Sequence, residues 1–137
     1  MRMAQWIAKT EPSTYSWQRL VTEKRARWDG VRNAQARNNL AAMKKGDEVL
    51  VYHSGDDRAV VGIAKVAKTA YPDPTADDPK WVCVDLVPVS ALHTPVPLST
   101  IKASPALKDI ALVRQGRLSV LPIDADAFRA IVALGRG

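Results

Sequence analysis

The sequence predicts an α+β domain built on a mixed, mostly antiparallel, barrel-like β-sheet flanked by short helices. Stretches of alternating apolar and polar residues recur along the chain, and several follow one another with only turns between them. The segments with helical spacing are short and lie before and after this run of strands. A chain of 137 residues, 47% hydrophobic and 25% charged, has room for one core. We therefore expect residues 1–137 to form a single domain.

The first part of the chain predicts one strand and two helices. Residues 4–10 alternate as a strand, and Ser16 can cap the short helix that follows. Residues 26–30 have the character of a short extended segment. Asn33 then predicts the cap of a second helix, which we expect to end at Gly46.

The second part predicts a hairpin, a long loop and a closing strand and helix. Residues 47–53 and 59–69 alternate as two strands around a polar turn, which predicts a hairpin. Residues 71–79 hold three prolines and three aspartates and are expected to form a loop. The remaining predicted elements are a strand over 80–89, two short helices of which the second is capped by Ser104, a strand over 118–122 and a helix capped by Asp124.

The chain carries excess positive charge, with 20 lysines and arginines against 14 acidic residues and a formal charge of +6. A cationic surface favours polyanions, because each phosphate it binds releases counterions. Many soluble proteins carry the same charge and bind no polyanion, so charge alone leaves both interpretations open.

Several function classes find no support in the sequence. The single cysteine, Cys83, excludes an internal disulfide and suits a reducing compartment. One cysteine and two histidines argue against a structural zinc site. There is no phosphate-binding glycine loop or serine elbow, no signal-like N-terminus and no run of membrane-spanning length. We expect a soluble cytoplasmic protein without metal, cofactor or membrane partner.

The densest concentration of charge runs from Thr22 to Lys45. Arginines in such a segment can hold phosphates, amides can read base edges and an indole can stack on a base. The same pattern also fits a solvated amphipathic helix preceded by a structural tryptophan. The segment contains seven basic residues (Lys24, Arg25, Arg27, Arg32, Arg37, Lys44 and Lys45), with Trp28, Asn33, Gln35, Asn38 and Asn39 between them.

The four tryptophans differ in their surroundings. Trp6, Trp17 and Trp81 lie in amphipathic elements and are expected in the core. Trp28 lies between a basic residue and a turn-forming Asp-Gly pair, so burial alone explains it less well. A base-stacking role is therefore the hypothesis for Trp28.

Other reactive side chains each have an ordinary structural role available to them. By strand alternation, Lys9 and Glu11 share a face and can form a surface ion pair, whereas Thr10 points away from both. His53 follows an apolar strand and could be a proton shuttle, a base contact or a hydrogen-bonded core histidine. Cys83 lies in an alternating strand and is expected to be buried and inert.

Six stretches, in order along the chain, resemble the EVE domain family. The first, Trp6 to Pro12, resembles a family pattern of tryptophan, two apolar residues and Lys-Ser-Glu-Pro. Together the stretches cover the chain from near residue 4 to near residue 134. They are Trp6–Pro12, Tyr15–Trp17, Trp28–Asn38, Tyr52–Ser54, Tyr71–Asp73 with Trp81, and Arg117–Ser119.

This resemblance implies a PUA-like fold, related to YTH and ASCH domains, that recognises a modified nucleobase. Cytosine derivatives in DNA are the favoured ligands and modified RNA is the second choice, so the implied partner is DNA or RNA carrying a modified base. The resemblance places near the base pocket Lys9, Thr10, Glu11, Trp28, Asn33, Arg37, Asn38, His53, Ser54, Tyr71 and Ser119. It leaves Arg32, Lys44, Lys45 and Arg117 as phosphate-binding residues.

One alternative comes from the ASCH-like relatives, which include small amidohydrolases that use lysine, threonine and glutamate on acylated cytidine. Lys9, Thr10 and Glu11 supply these residue types. However, alternation directs Thr10 away from the other two, and no pair of nucleophile and base can be placed. We therefore predict a non-catalytic binding module with no catalytic residues.

Overall fold

The computed structural model describes residues 4–136, which contain six strands and five helices. The bounds, in chain order, are β1 Gln5–Thr10, α1 Trp17–Glu23, β2 Ala26–Trp28, α2 Ala34–Ala42, β3 Glu48–His53, β4 Ala59–Pro72, β5 Val82–Pro97, α3 Leu98–Ala103, α4 Ala111–Arg114, β6 Val120–Ile123 and α5 Ala125–Leu134.

All six strands belong to one sheet in the order β2-β5-β4-β3-β1-β6. Strands β1 and β3 run parallel, and the other four pairs within residues 4–136 are antiparallel. The predicted α+β class with a mostly antiparallel sheet is confirmed. The two end strands, β2 and β6, are not paired with each other in the described part of the chain, so the barrel is not closed.

The two longest strands extend beyond their predicted ends. β4 continues to Pro72 and β5 to Pro97, because the two pair along most of their length. Their register shifts at several bulges, the first between Val60 and Gly62. Bulges bend a strand and interrupt the alternation of its side chains, so the local sequence pattern predicted both strands to be shorter than they are.

Three predicted helix caps are confirmed by side-chain hydrogen bonds. Ser16 accepts from the backbone N–H of Arg19, Asn33 from that of Ala36 and Asp124 from that of Ala127. No helix within residues 4–136 combines the length and apolar character needed to cross a membrane.

Two helix boundaries were predicted wrongly. Helix α2 ends at Ala42 rather than Gly46, because Met43 is extended and buried and the Asp47 carboxylate organises the turn by accepting from the N–H of Lys44. Ser104 begins a turn, not a helix. Its carbonyl accepts from the backbone of Leu107 and Lys108, and α4 starts only at Ala111.

The core surrounds the parallel pair at the centre of the sheet. Trp6, Ile7 and Ala8 of β1 are all buried although alternate residues face opposite sides, so both faces of this strand are covered. β1 and β3 end side by side at Thr10 and His53. The chain leaves the sheet at this edge, and the candidate site begins there.

Candidate functional site

A cavity of about 590 Å³ lies beside the end of β1. This volume falls within the range of small-molecule and cofactor sites, roughly 300–1,000 Å³. Five parts of the chain form its wall: the end of β1, helix α1 with the turn before it, strand β2 with Arg25, the loop that leads into α2, and Ser119 just before β6. The lining residues are Lys9, Thr10, Thr14, Tyr15, Arg19, Glu23, Arg25, Ala26, Arg27, Trp28, Asp29, Gly30, Val31, Arg32, Asn33 and Ser119.

Trp28 forms the aromatic part of this wall. The residue is only 7% exposed, and its strand β2 is held by antiparallel pairing with Val84 of β5. The ring of Tyr15 meets it edge to face, with 6.1 Å between the ring centres. Trp28 is as buried as Trp6 and Trp17, whereas the expectation that Trp81 lies in the core was wrong, since Trp81 is half-buried. Trp28 is both a core residue and a surface of the cavity.

The end of β1 contributes two neighbouring polar side chains. Lys9 Nζ donates to the carbonyl of Gly116 over 2.8 Å, and Thr10 Oγ1 donates to the carbonyl of Tyr15 over 2.7 Å. Both residues line the cavity, so the alternation that directs Thr10 away from Lys9 does not keep the two out of one site. The strand ends at Thr10 and the chain turns immediately afterwards, so both side chains can reach the cavity at this end of β1.

Lys9 is distinctive among the cations of the wall. Partial burial lowers the pKa of its ammonium group. No carboxylate within residues 4–136 pairs with it, and the suggested ion pair with Glu11 is not formed there. Lys9 is therefore a partly buried donor whose remaining hydrogens can serve a ligand.

The other four cations of the wall are held by carboxylates. Each arginine thus has a defined position while keeping part of its guanidinium in solvent, and the cavity contains five cationic residues against two acidic ones. The pairs are Arg19 with Glu23, Arg25 with Asp85, Arg27 with Asp29, and Arg32 with Asp73.

Asp73 fixes the loop that leads into α2. Its side chain is 0% exposed, and Oδ2 accepts from the N–H of Gly30 at 2.8 Å and from Arg32 at 3.0 Å. Oδ1 accepts from the backbone and the hydroxyl of Thr75. Burial alone would raise the pKa of this carboxyl group, but the hydrogen bonds from Thr75, Gly30 and Arg32 outweigh burial and hold the pKa well below its ordinary value.

Tyr15 connects the aromatic wall to α1. Its hydroxyl donates to Glu23 over 2.7 Å, and Arg19 lies over its ring at 4.9 Å. Burial, followed by the hydrogen bond to Glu23, raises the pKa of Tyr15 to about 12, so the phenol stays neutral. This network positions the Tyr15 ring against Trp28.

The side chain of Asn33 caps helix α2 with one group and leaves its other group for the cavity. Oδ1 caps α2 by accepting from the N–H of Ala36 over 2.9 Å. The Nδ2 amino group is therefore the part that can donate to a ligand. Asn33 and Ser119 line the cavity although 86 positions separate them in the chain numbering.

Three residues placed near the pocket by resemblance, Glu11, His53 and Ser54, are not among the lining residues. Glu11 contacts the Ser13 hydroxyl and lies against Gly55, where an added Cβ would be 2.2 Å from Oε2. His53 is buried, its Nε2 accepts from the N–H of Trp17 at 2.9 Å, and Nδ1 faces Asp57. These contacts make His53 a hydrogen-bonded core histidine that anchors α1.

Three more predicted pocket residues are not among the lining residues: Arg37, Asn38 and Tyr71. Arg37 lies over the Trp81 ring at 5.4 Å and donates to Asn38 Oδ1. The Tyr71 hydroxyl donates to Asp85, the carboxylate that also holds Arg25.

The predicted phosphate-binding residues fall into separate places. Arg32 lines the cavity. Lys44 and Lys45 are exposed in the turn before β3, at the opposite end of the six-residue strand from His53. Arg117 is exposed in the turn beside Gly116. Phosphate binding by these four residues stays a prediction.

Sequence reasoning missed the contribution of α1 and the turn before it. Thr14, Tyr15, Arg19 and Glu23 all line the cavity. The only signal in the sequence was the Tyr15–Trp17 stretch of the family resemblance, since nothing local shows that α1 faces β2 across a cavity.

The remaining reactive group lies elsewhere. Cys83 is fully buried in β5, as predicted, its Sγ donates to the carbonyl of Tyr71, and burial raises the pKa of its thiol. No group of three potential metal ligands occurs among residues 4–136.

Comparison with known proteins places this chain in a family. The sequence matches the EVE domain over residues 4–134. The chain belongs to the EVE domain family. Among its relatives are thymocyte nuclear protein 1 of mouse, 35% identical over 94% of this chain and 72% of the relative, and of human, 32% identical with the same coverage.

Two solved structures of similar proteins superpose closely on this chain, and a more distant one shares its fold. A protein from Rhodopseudomonas palustris is 41% identical with a TM-score of 0.92, covering 97% of this chain and 93% of its own. Human THYN1 protein, solved in complex with 5-methylcytosine containing DNA, is 31% identical with a TM-score of 0.90 and covers 98% of both chains. An ASCH protein of Zymomonas mobilis, at 10% identity and a TM-score of 0.59, covers 96% of this chain and 95% of its own and shares the fold alone.

Proposed function

We propose that this EVE domain protein binds nucleic acid without catalysis and holds one modified base, a cytosine derivative in DNA by preference, in the cavity beside β1. The observation that carries the proposal is the combination in one cavity of the Trp28 wall with the polar groups of Lys9, Thr10 and Asn33. The complex of the similar human protein with 5-methylcytosine containing DNA supports the choice of ligand.

The polar groups suit the edge of a cytosine. Thr10 Oγ1 already donates its hydrogen to Tyr15, so its oxygen can accept from the exocyclic amino group of the base. Lys9 and the Nδ2 group of Asn33 can donate to ring or carbonyl acceptors. Trp28 and Tyr15 offer apolar surface for the ring and for a methyl group on it. Extruding the base from a duplex costs a few kcal/mol of lost stacking and pairing, which these contacts have to recover.

The amidohydrolase alternative receives less support from the same geometry. Lys9 and Thr10 do share the cavity, but Glu11 contacts the Gly55 hairpin turn instead. The Thr10 hydroxyl donates to a backbone carbonyl, which is not a base that can take its proton. Because no base among residues 4–136 is placed to activate Thr10 as a nucleophile, the geometry favours binding over hydrolysis.

A binding screen with paired variants tests the proposal. Fluorescence anisotropy is measured with DNA oligonucleotides containing 5-methylcytosine or plain cytosine at one position, single- and double-stranded, and with the matching RNAs. We expect tighter binding to modified DNA. Thr10→Val, which removes the accepting oxygen, should reduce this preference, whereas Thr10→Ser keeps the hydroxyl and should retain it.

Asn33 allows a second matched pair. Asn33→Ser keeps an oxygen that can cap α2 but removes the Nδ2 donor, so the fold should persist while the affinity for the modified base falls. Equal binding of modified and plain oligonucleotides by the unaltered protein would refute recognition of modified cytosine. A preference confined to RNA would refute the choice of DNA.

A further inference from the structure

Three cationic side chains, one of them from the cavity wall, surround the ring of Trp81. Arg32 Cζ, Arg37 Cζ and Lys80 Nζ lie 5.9, 5.4 and 5.2 Å from the ring centre. We call Arg32, Arg37, Lys80 and Trp81 the Trp81 cluster. Because all three charges lie within 5.9 Å of one point, no two are separated by more than twice that distance. The indole face offsets part of their repulsion.

The backbone of Trp81 is fixed by hydrogen bonds at both its carbonyl and its N–H. The N–H of Asp73 donates to the Trp81 carbonyl at 2.9 Å, and the N–H of Trp81 donates to the carbonyl of Asp78. Asp73 also holds Arg32, which in turn donates to the Thr75 hydroxyl. The loop before β5 and the loop before α2 are therefore joined at the Trp81 cluster.

The positive charge of the cluster is only partly neutralised. Arg32 is paired with the buried Asp73, whereas Lys80 meets Asp78 at 3.8 Å with both side chains more than half exposed, a contact of little energetic worth. No carboxylate within residues 4–136 pairs with Arg37. The cluster has unused capacity for an anion.

The position of the cluster suggests which anion it takes. Arg32 lines the cavity on one side and faces Trp81 on the other, so the cluster begins at the cavity wall. A nucleotide whose base enters the cavity has to leave its own phosphates outside, next to that wall. Arginine binds phosphate through a planar fork of donors, and lysine binds it as a point charge.

We propose that the Trp81 cluster is a phosphate-binding site for the nucleic-acid backbone flanking the base in the cavity. This inference rests on the proposed function, and it assigns Arg37 and Lys80 to the backbone rather than to the base. Trp81 is a positioning residue, which keeps the three cations together in the free protein.

The salt dependence of binding tests the site. Each phosphate contact contributes about −0.9 to the slope of log affinity against log salt, equivalent to about a 3.5-fold loss of affinity between 50 and 200 mM salt. With a double-stranded 5-methylcytosine DNA oligonucleotide, Arg37→Ala combined with Lys80→Ala should weaken binding and make the slope shallower by about 0.9 for each phosphate held. Trp81→Leu should also weaken binding and make the slope shallower, and Trp81→Phe should do so to a smaller extent.

Two controls distinguish phosphate binding by the cluster from a general effect of lost charge and from contact with the base. Lys102→Ala on α3 removes an exposed lysine that is not among the residues lining the cavity, and should leave the slope unchanged. Free 5-methyl-2′-deoxycytidine, which lacks phosphate, should bind the Arg37→Ala, Lys80→Ala protein as it binds the unaltered protein. The ratio of affinities for modified and plain oligonucleotides should also stay constant, and thermal melting confirms that each variant is folded.

Two results would overturn the phosphate site. One is a slope in the double variant equal to that of Lys102→Ala. The other is an equal loss of affinity for the free nucleoside, which would assign Arg37 and Lys80 to the base pocket. Failure of the proposed function would give a different result. An unaltered protein that binds modified and plain DNA equally would refute recognition of the modified base, but the salt dependence of its binding would still measure the phosphate contacts.

Discussion

Replacing Trp28 by alanine is expected to reduce both stability and binding, by separate amounts that can be measured on one sample. The side chain is 7% exposed and contacts the Tyr15 ring, so its truncation should lower the free energy of unfolding by about 3–5 kcal/mol. Domains of this kind have about 5–15 kcal/mol in total. The variant should remain mostly folded at low temperature, with a melting temperature about 10–25 °C lower.

Trp28→Ala should weaken binding as well as lower stability, because the same ring lines the cavity. A base stacked on an aromatic side chain contributes about 1–3 kcal/mol, so the folded Trp28→Ala protein should bind a modified oligonucleotide roughly 5- to 150-fold more weakly. Thermal melting gives the folded fraction at the titration temperature. Fluorescence anisotropy at that temperature, corrected for this fraction, gives the intrinsic affinity.

Trp6→Ala is the matched control. Trp6 is also 7% exposed, but it lies at the start of β1, where its indole N–H donates to Asp47. Its truncation should destabilise the fold by a similar amount and leave the corrected affinity unchanged. An unchanged corrected affinity in Trp28→Ala, or an equal loss in both variants, would refute base stacking on Trp28.

Three further predictions follow from single contacts. Because hydrogen bonds hold the pKa of Asp73 below its unfolded value of about 3.9, its stabilising contribution is present above that pH and is lost as the pH falls towards the folded pKa; urea unfolding should therefore show a shallower acid decline for Asp73→Asn, and equal declines would contradict this role. His53→Ala removes the acceptor of the Trp17 N–H and should cost about 1–3 kcal/mol in chemical denaturation, partly restored in His53→Gln; no loss would show that this hydrogen bond is dispensable. Incubation with N4-acetylcytidine should give no cytidine by chromatography, and turnover that disappears in Lys9→Ala would favour the amidohydrolase alternative.

The sequence by itself determined the features that depend on residues close together in the chain. The caps at Ser16, Asn33 and Asp124 each accept from the N–H three residues later, so the side chain and its partner lie in one short segment. The burial of Cys83 followed from strand alternation in the same way. The ordered family stretches, which span most of the chain, identified the EVE domain without any knowledge of contacts.

Only the tertiary structure decided which polar side chains share the cavity. Thr10 faces it because β1 ends there, which alternation cannot show, and Tyr15 faces it because α1 packs across from β2. Arg32 is fixed by Asp73, 41 residues further along the chain. Local sequence carries no signal for such pairs, because the energy that selects them comes from burying groups that meet only when distant segments pack together.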